Sequence, residues 1–174
     1  MIRNATIDDA PRLAHLKTRV GRDTYYHYGT PEQFDKWVEE FCSIQYFENL
    51  IKNNTTVLVA EYEDAFLGVS SVSFNDDLAL FGNLYVGLQE RGIGSLLTKH
   101  RFALVQSHVS LTAPGSSYGI QARCFYQNHR AYKHLLKHGF YPTSWKLHEI
   151  YSSPIVIMEQ TLYNNQPVYI QSGF

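Results

Sequence analysis

Cysteine is scarce in this chain, with only Cys42 and Cys124 among 174 residues. Both sit in apolar surroundings, EEFCSI and QARCFY, which reads as two buried reduced thiols and argues against a disulfide framework. Long apolar runs are missing as well. No stretch reaches the ~20 apolar residues of a membrane span, and the opening MIRNATIDDAPRL lacks the apolar run of a signal peptide. These absences predict a cytoplasmic protein with no membrane partner. There is no long basic run either. At a formal net charge of −1 the chain carries no electrostatic footprint for nucleic acid. Without repeats, linkers or low-complexity segments, 174 residues fit one domain, 1–174, with a core over 2–162. The polar tail, 163–174, pads the surface or an oligomer contact, and exposed aromatic surface makes a homodimer an expectation.

Aromatic side chains, by contrast, make up 14% of the residues and are weighted to tyrosine. Clustered tyrosines serve a core or wall a pocket. The periodicity places a short strand at Ile2 to Thr6, then a helix capped by Asp8 or Asp9 with Leu13, Leu16 and Val20 on its apolar side. Gly21 to Gly29, GRDTYYHYG, reads as a loop or broken helix. Phe34, Trp37, Val38 and Phe41 form a helical stripe that Tyr46, Phe47, Leu50 and Ile51 continue in a second piece. From Thr55 the period becomes that of strands: TTVLVAEY, FLGVSSVSF and LALFGNLYV, joined by turns at Glu63-Asp64 and Asn75-Asp76-Asp77. A helix from Gly92 to about His108, a strand YGIQARCF and a helix from Asn128 to His138 follow, with Gly139 as C-cap. Two last strands are expected around Trp145 to Tyr151 and Ile155 to Leu162.

LYVGLQERGIGSLLTKH, Leu84 to His100, is the most informative stretch. Gly92 and Gly94 let a backbone turn with its N–H groups pointing inward at a helix N-terminus, which suits a diphosphate, and Arg91 adds a charge-assisted contact. The alternative is a glycine-relaxed turn that binds nothing. A dinucleotide fingerprint needs a third glycine where Leu97 stands, and a P-loop needs a lysine that Ile93-Gly94-Ser95 does not offer. Phosphate would be held by backbone.

QERGIG resembles the Gln/Arg-x-x-Gly-x-Gly/Ala signature of the GCN5-related N-acetyltransferases. VLVAEYEDAFLGVSSV is similar to that family's second and third strands, NHRAYKHLLKHGF to its Asn-x-x-Ala…Gly-Phe helix, and YSSPIVIMEQTL to its closing strand. The resemblance implies an α/β (α+β) fold: a mixed, mostly antiparallel sheet of about seven strands, splayed between strands 4 and 5 and flanked by about four helices. It implies acetyl-CoA as cosubstrate and direct acetyl transfer to an amine in a ternary complex. Cofactor contacts carried over are Leu84, Tyr85 and Val86 on the strand, Gln89, Glu90, Arg91, Gly92, Ile93, Gly94 and Ser95 at the pyrophosphate, and Asn128 near the pantetheine or adenine side. Two departures stand out. Only Gly87 and Leu88 separate Val86 from Gln89, where many relatives have five residues, so the amide that faces the thioester is open. The position of the family's proton-donating tyrosine, seven after Asn128, holds Leu135.

Tyr132 and His134 flank that position and are the replacement candidates, with Glu61 as a candidate base or a structural carboxylate. His134 and His138 are spaced for a metal, but with no HExxH and no third ligand none is expected. Acceptor specificity in the family comes from the first helices and their connection, here Tyr25, Tyr26, His27 and Tyr28. Aromatic faces attract ammonium groups, so a small-molecule amine (a polyamine, an antibiotic or a metabolite) fits. A protein N-terminus or lysine is a rival acceptor, and a non-catalytic acyl-CoA sensor is the reading of a different class.

Overall fold

The computed structural model describes residues 1–75, 77–87, 91–112 and 117–163. The chain begins with β1 (Ile2–Asn4), a 3-10 turn at Ile7–Asp9 and helix α1 (Ala10–Tyr25). A second 3-10 turn at Tyr26–Tyr28 leads into α2 (Pro31–Phe41) and α3 (Ile44–Lys52). The strands β2 (Thr56–Tyr62), β3 (Ala65–Asn75) and β4 (Leu78–Val86) then run in succession. Helix α4 (Ile93–Thr112), β5 (Ser117–Phe125), α5 (His129–Lys137), β6 (Tyr141–Leu147) and β7 (Pro154–Tyr163) complete it. The seven strands form one sheet in the order β1-β2-β3-β4-β5-β7-β6. Only β4 and β5 are parallel; every other pair is antiparallel. No described helix is long and apolar enough to cross a membrane.

Strand alternation sends successive residues to opposite faces. On β2, Val57 and Val59 meet α1 and α3 through Leu13, Leu16 and Phe47, while Leu58 and Ala60 meet α4 through Ile93 and Leu97. Farther along the sheet, Phe81, Ile120 and Val156 pack under Phe102 and Val105 of α4 and Leu135 of α5. Phe34 and Trp37 of α2 cover Phe125 and Ile155. Local chemistry starts the helices where they start. Thr30 accepts from Gln33 N–H at 3.3 Å while Gln33 Oε1 accepts from Thr30 N–H at 2.9 Å, a reciprocal cap ahead of Pro31. Asn128 caps α5 by accepting from Ala131 N–H at 3.0 Å.

The feature that shapes the molecule is the parting of β4 from β5. They pair only from Leu78 with Gly119 to Phe81 with Ala122. Beyond that point β4 keeps to β3 and β5 keeps to β7. A bulge coincides with the parting: Gly82 and Asn83 together stand opposite Ser71, and Asn83 N–H donates to Ser71 Oγ at 2.9 Å. A bulge bends its strand and steepens the twist, which carries the rest of β4 away from β5. A Cβ at Gly82 would sit 2.5 Å from Ser71 Oγ, so a larger residue there would have to displace the hydroxyl that accepts from Asn83 N–H.

Three stretches differ from the pattern reading. GRDTYYHYG is not an open loop: α1 continues through Gly21 to Tyr25, because the missing Cβ lets the Trp37 ring lie against the helix. Helix α4 runs on from His108 to Thr112, with the His108 ring stacked on Phe74 at 4.1 Å. The penultimate strand lies at Tyr141–Leu147, earlier than Trp145 to Tyr151. It is an edge strand with every residue exposed and a register shift after Pro142, so no apolar alternation marks it.

Candidate active site

The space between the parted strands is a cleft of about 900 Å³, reaching from α1 and α3 to the N-termini of α4 and α5. On one side it is lined by Gly92, Ile93, Gly94 and Ser95. The first amides of α4 have no intrahelical acceptor, and the helix dipole adds partial positive charge there. Gly92 has φ 72°, the left-handed region, and a Cβ added to it would meet nothing within 4 Å among the described residues. Here the backbone turn, rather than crowding, demands glycine. Arg91 is exposed and does not line the cleft. Gln89 and Glu90 lie outside the described residues.

Leu84, Tyr85 and Val86 form the β4 wall. Gly87 N–H donates to Leu67 O across the ladder at 2.8 Å, and Asn83 N–H is also directed at β3. Antiparallel pairing alternates, so Leu84 and Val86 turn their N–H groups away from β3 and into the cleft. The side chains of Leu84 and Val86 pack toward α4 beside Ile93 and Leu97. Asn128 also lines the cleft, at the start of α5.

The opposite side is tyrosine. Tyr25, Tyr28 and Tyr46 line it with Asp23 and Asn83. The Tyr25 ring packs edge-on against Tyr28 at 5.5 Å, Trp37 at 5.2 Å and Tyr85 at 6.2 Å. Burial pushes its phenol up to about 12, although hydrogen bonds to Tyr85 and Asn128 favour the ionised form. Tyr26 and His27 do not line the cleft: Tyr26 turns outward onto Phe34 at 5.4 Å, and His27 is exposed.

The catalytic candidates separate in space. His134 lines the cleft and Tyr132 does not; Tyr132, also on α5, packs against the core. Glu61 is remote, held by Arg3 through Nε at 2.9 Å and Nη2 at 3.0 Å, while the same guanidinium grips Asp9. That ion-pair network ties β1 and β2 to the start of α1. His134 Nε2 is 2.9 Å from Thr98 Oγ1, which accepts from Arg101 Nη2 at 2.9 Å. Thr98 Oγ1 thus links the imidazole to the guanidinium, with the direction of its bond to Nε2 set by the imidazole tautomer. Burial, with His138 and Arg101 nearby, pulls the His134 pKa down to about 4, so the ring is neutral. Leu135 lines the cleft as an apolar wall. Among the described residues no group of His, Cys, Asp or Glu could hold a metal.

The sequence pattern passed over two charged residues here. Lys17 is 3% exposed, with Nζ 2.5 Å from Asn83 Oδ1 and 4.3 Å from the Tyr46 ring centroid. Burial pulls its pKa down to about 7. Arg101 is 1% exposed and lines the cleft. Both stand at i+4 in apolar stripes, Leu13–Lys17–Gly21 and Leu97–Arg101–Val105, and a charge inside a stripe is the signal that marks them.

A sheet that parts between its parallel strands, over a helix N-terminus opened by glycine, is the architecture of the GCN5-related N-acetyltransferases, and this chain has that fold. The solved PaiA N-acetyltransferase from Thermoplasma acidophilum, in complex with coenzyme A, superposes with TM-score 0.78 at 18% identity, over 93% of this chain and 98% of that one. The ribosomal-protein-S18-alanine N-acetyltransferase from Escherichia coli gives 0.71 at 13%, over 100% and 98%. Aminoglycoside 6'-acetyltransferase type Ii gives 0.63 at 16%, over 92% and 96%. No family model and no curated protein sequence matches the chain.

Proposed function

We propose that this protein is a coenzyme A thioester-dependent N-acyltransferase that moves an acetyl group from acetyl-CoA directly to the amine of a small molecule. The observation that carries this reading is the cleft between β4 and β5, which leads from the Gly92–Ser95 amides to the tyrosine-walled chamber. The residues fit the cosubstrate. Backbone amides at the start of α4 suit a diphosphate, and the empty space around Gly92 leaves room for it. The inward N–H groups of Leu84 and Val86 suit the amides of a pantetheine arm and the oxygen of its thioester.

The thioester supplies an activated acyl carbon. The protein binds it in line with the acceptor, which converts a bimolecular attack into one within a single complex. The amine lone pair attacks the carbonyl carbon, and an N–H of Leu84 or Val86 takes up the negative charge that grows on the oxygen. The C–S bond breaks and the sulfur takes a proton. His134, which lines the cleft as a neutral ring, and the Tyr25 hydroxyl are the candidate donors to the departing thiolate.

The acceptor chamber favours a small amine. Asp23 contributes a carboxylate, and the faces of Tyr25, Tyr28 and Tyr46 attract an ammonium group before it sheds its proton. The test is thermal unfolding with acetyl-CoA against ATP and NAD. At about 100 times its Kd a ligand adds ~2.7 kcal/mol, or roughly 5–10 °C for a domain of this size. A shift with acetyl-CoA alone supports the reading, and thiol release with amines and peptides then separates the acceptors. No shift with acetyl-CoA overturns it.

A further inference from the structure

Arg101 heads the large fully buried side chains of the described residues, at 1% exposure. It stands in a stripe of α4, with Ile93, Leu97, Val105 and Val109, where every other member is apolar and buried. A leucine or methionine would suit the stripe. The guanidinium has no carboxylate partner among the described residues. One nitrogen donates to Thr98 Oγ1 at 2.9 Å, Nε has no partner, and the ring of Phe81 lies 4.2 Å from its carbon. A buried charge left unpaired is costly, and a guanidinium cannot shed its proton as a lysine can, so its free Nε–H is a donor available to an anion from outside the chain.

The position says what that is. Phe81 and Ala122 are the last pair before β4 and β5 part, and both line the cleft with Arg101. The guanidinium thus lies at the floor of the splay. Arg101 follows Gly92 by nine residues, about 13 Å along the helix axis. Alongside, β4 runs from Val86 back to Phe81, about 17 Å of strand. An extended pantetheine arm is of this length. A thioester whose diphosphate rests at Gly92 to Ser95 would therefore bring its acyl group to the level of Arg101.

We infer that Arg101 is the anion-binding end of an acyl pocket, and that the donor range extends to thioesters of short dicarboxylic acids, of the malonyl or succinyl type. The inference rests on the coenzyme A reading above. The distal carboxylate accepts from Nε–H, the donor left without a partner, while Phe81, Ala122 and Leu135 wall the methylene groups. His134, which shares Thr98 with Arg101, is neutral and adds no competing charge. Transfer needs no further reactant. The amine nitrogen bonds to the thioester carbon, the C–S bond breaks, sulfur takes the proton that the amine gives up, and the carboxylate stays paired with Arg101.

The test measures affinity for coenzyme A, acetyl-CoA, butyryl-CoA and succinyl-CoA by titration calorimetry, in the wild type and in Arg101→Met and Arg101→Lys. Butyryl matches the succinyl chain without its charge. The wild type is expected to prefer succinyl-CoA over butyryl-CoA by about 10- to 100-fold, as a charge-assisted pair provides. In Arg101→Met that ratio should collapse to about one, and Arg101→Lys should keep part of it. Equal affinities in the wild type, with coenzyme A bound, overturn the acyl pocket and leave the transferase reading standing. A preference that survives Arg101→Met also overturns it. No binding of any thioester overturns both. Should Arg101→Met fail to fold, the wild-type ratio and Arg101→Lys decide.

Discussion

Lys17 is a charge that the fold works against. Its ammonium is enclosed by Tyr46, Tyr85, Trp37 and Phe47, and its hydrogen bond to Asn83 Oδ1 is the polar contact that the enclosure offers. Burial holds its pKa near 7, against ~10.4 for a free lysine. Between these values the unfolded chain binds a proton that the folded protein does not, so stability rises with pH through this window. It falls as pH drops from ~10.4 toward 7 and levels off below 7, where the lysine is protonated in both states. Lys17→Met removes this dependence. Urea unfolding at pH 7 and pH 9.5 should show the wild type gaining about 3 kcal/mol more than the variant across that interval. Parallel pH profiles would show that Lys17 titrates as a solvated lysine. Lys17 and Arg101 were marked in the sequence only by their place in apolar stripes, and the groups that enclose them come from other elements. The same holds for Glu61: its partner Arg3 lies across β1 and β2, so the sequence could offer it as base or as structure.

At the scale of the element, the start of α4 makes two separable demands on glycine. Gly92 needs its left-handed φ, where an alanine costs about 1–2 kcal/mol, although nothing crowds the added methyl. Gly94 lies in ordinary helix, where an added Cβ meets His134 and Val86 at 3.7 Å, a normal contact distance. Gly94→Ala should therefore leave Tm unchanged or slightly raised, while the methyl intrudes on a ligand lying against the helix amides. Gly92→Ala should lower Tm by a few degrees and weaken coenzyme A as well. Calorimetry on both variants checks this. Unaltered coenzyme A affinity in Gly94→Ala would mean that the ligand does not lie against that backbone. This element was the most legible in the sequence, because glycine spacing at a strand-to-helix junction is a local signal. The parting of β4 from β5 was not local, and its expectation came from family resemblance alone. Parallel neighbours separated by a long helix leave no mark in either strand's own pattern. Edge strand β6, exposed along its length, carried no pattern to read.

The whole molecule is two sheet halves, β1 to β4 and β5 to β7, hinged on the short parallel contact from Leu78 to Phe81. Beyond that contact the halves face each other across the cleft, with amides of β4 and α4 on one side and the start of α5 on the other. A ligand that fills the cleft touches both halves, so its binding energy should oppose their separation and protect both from local opening. Hydrogen exchange with and without coenzyme A tests this directly. Protection is expected at the amides of Leu84, Val86 and Ile93 to Ser95, which would become donors to the ligand. It is also expected at the first turn of α5 after Asn128, which belongs to the other half. The amides of β1 and β2, tied by Arg3 to Asp9 and Glu61, should exchange at the same rate in both states. ATP, which shares the adenine and phosphates but lacks the pantetheine arm, should protect the α4 amides at most and leave Leu84 and Val86 unaltered. Protection confined to α4 with coenzyme A as well would place the ligand at the helix N-terminus alone. The cleft would then be no path for a thioester, and the parted sheet would have no part in binding it.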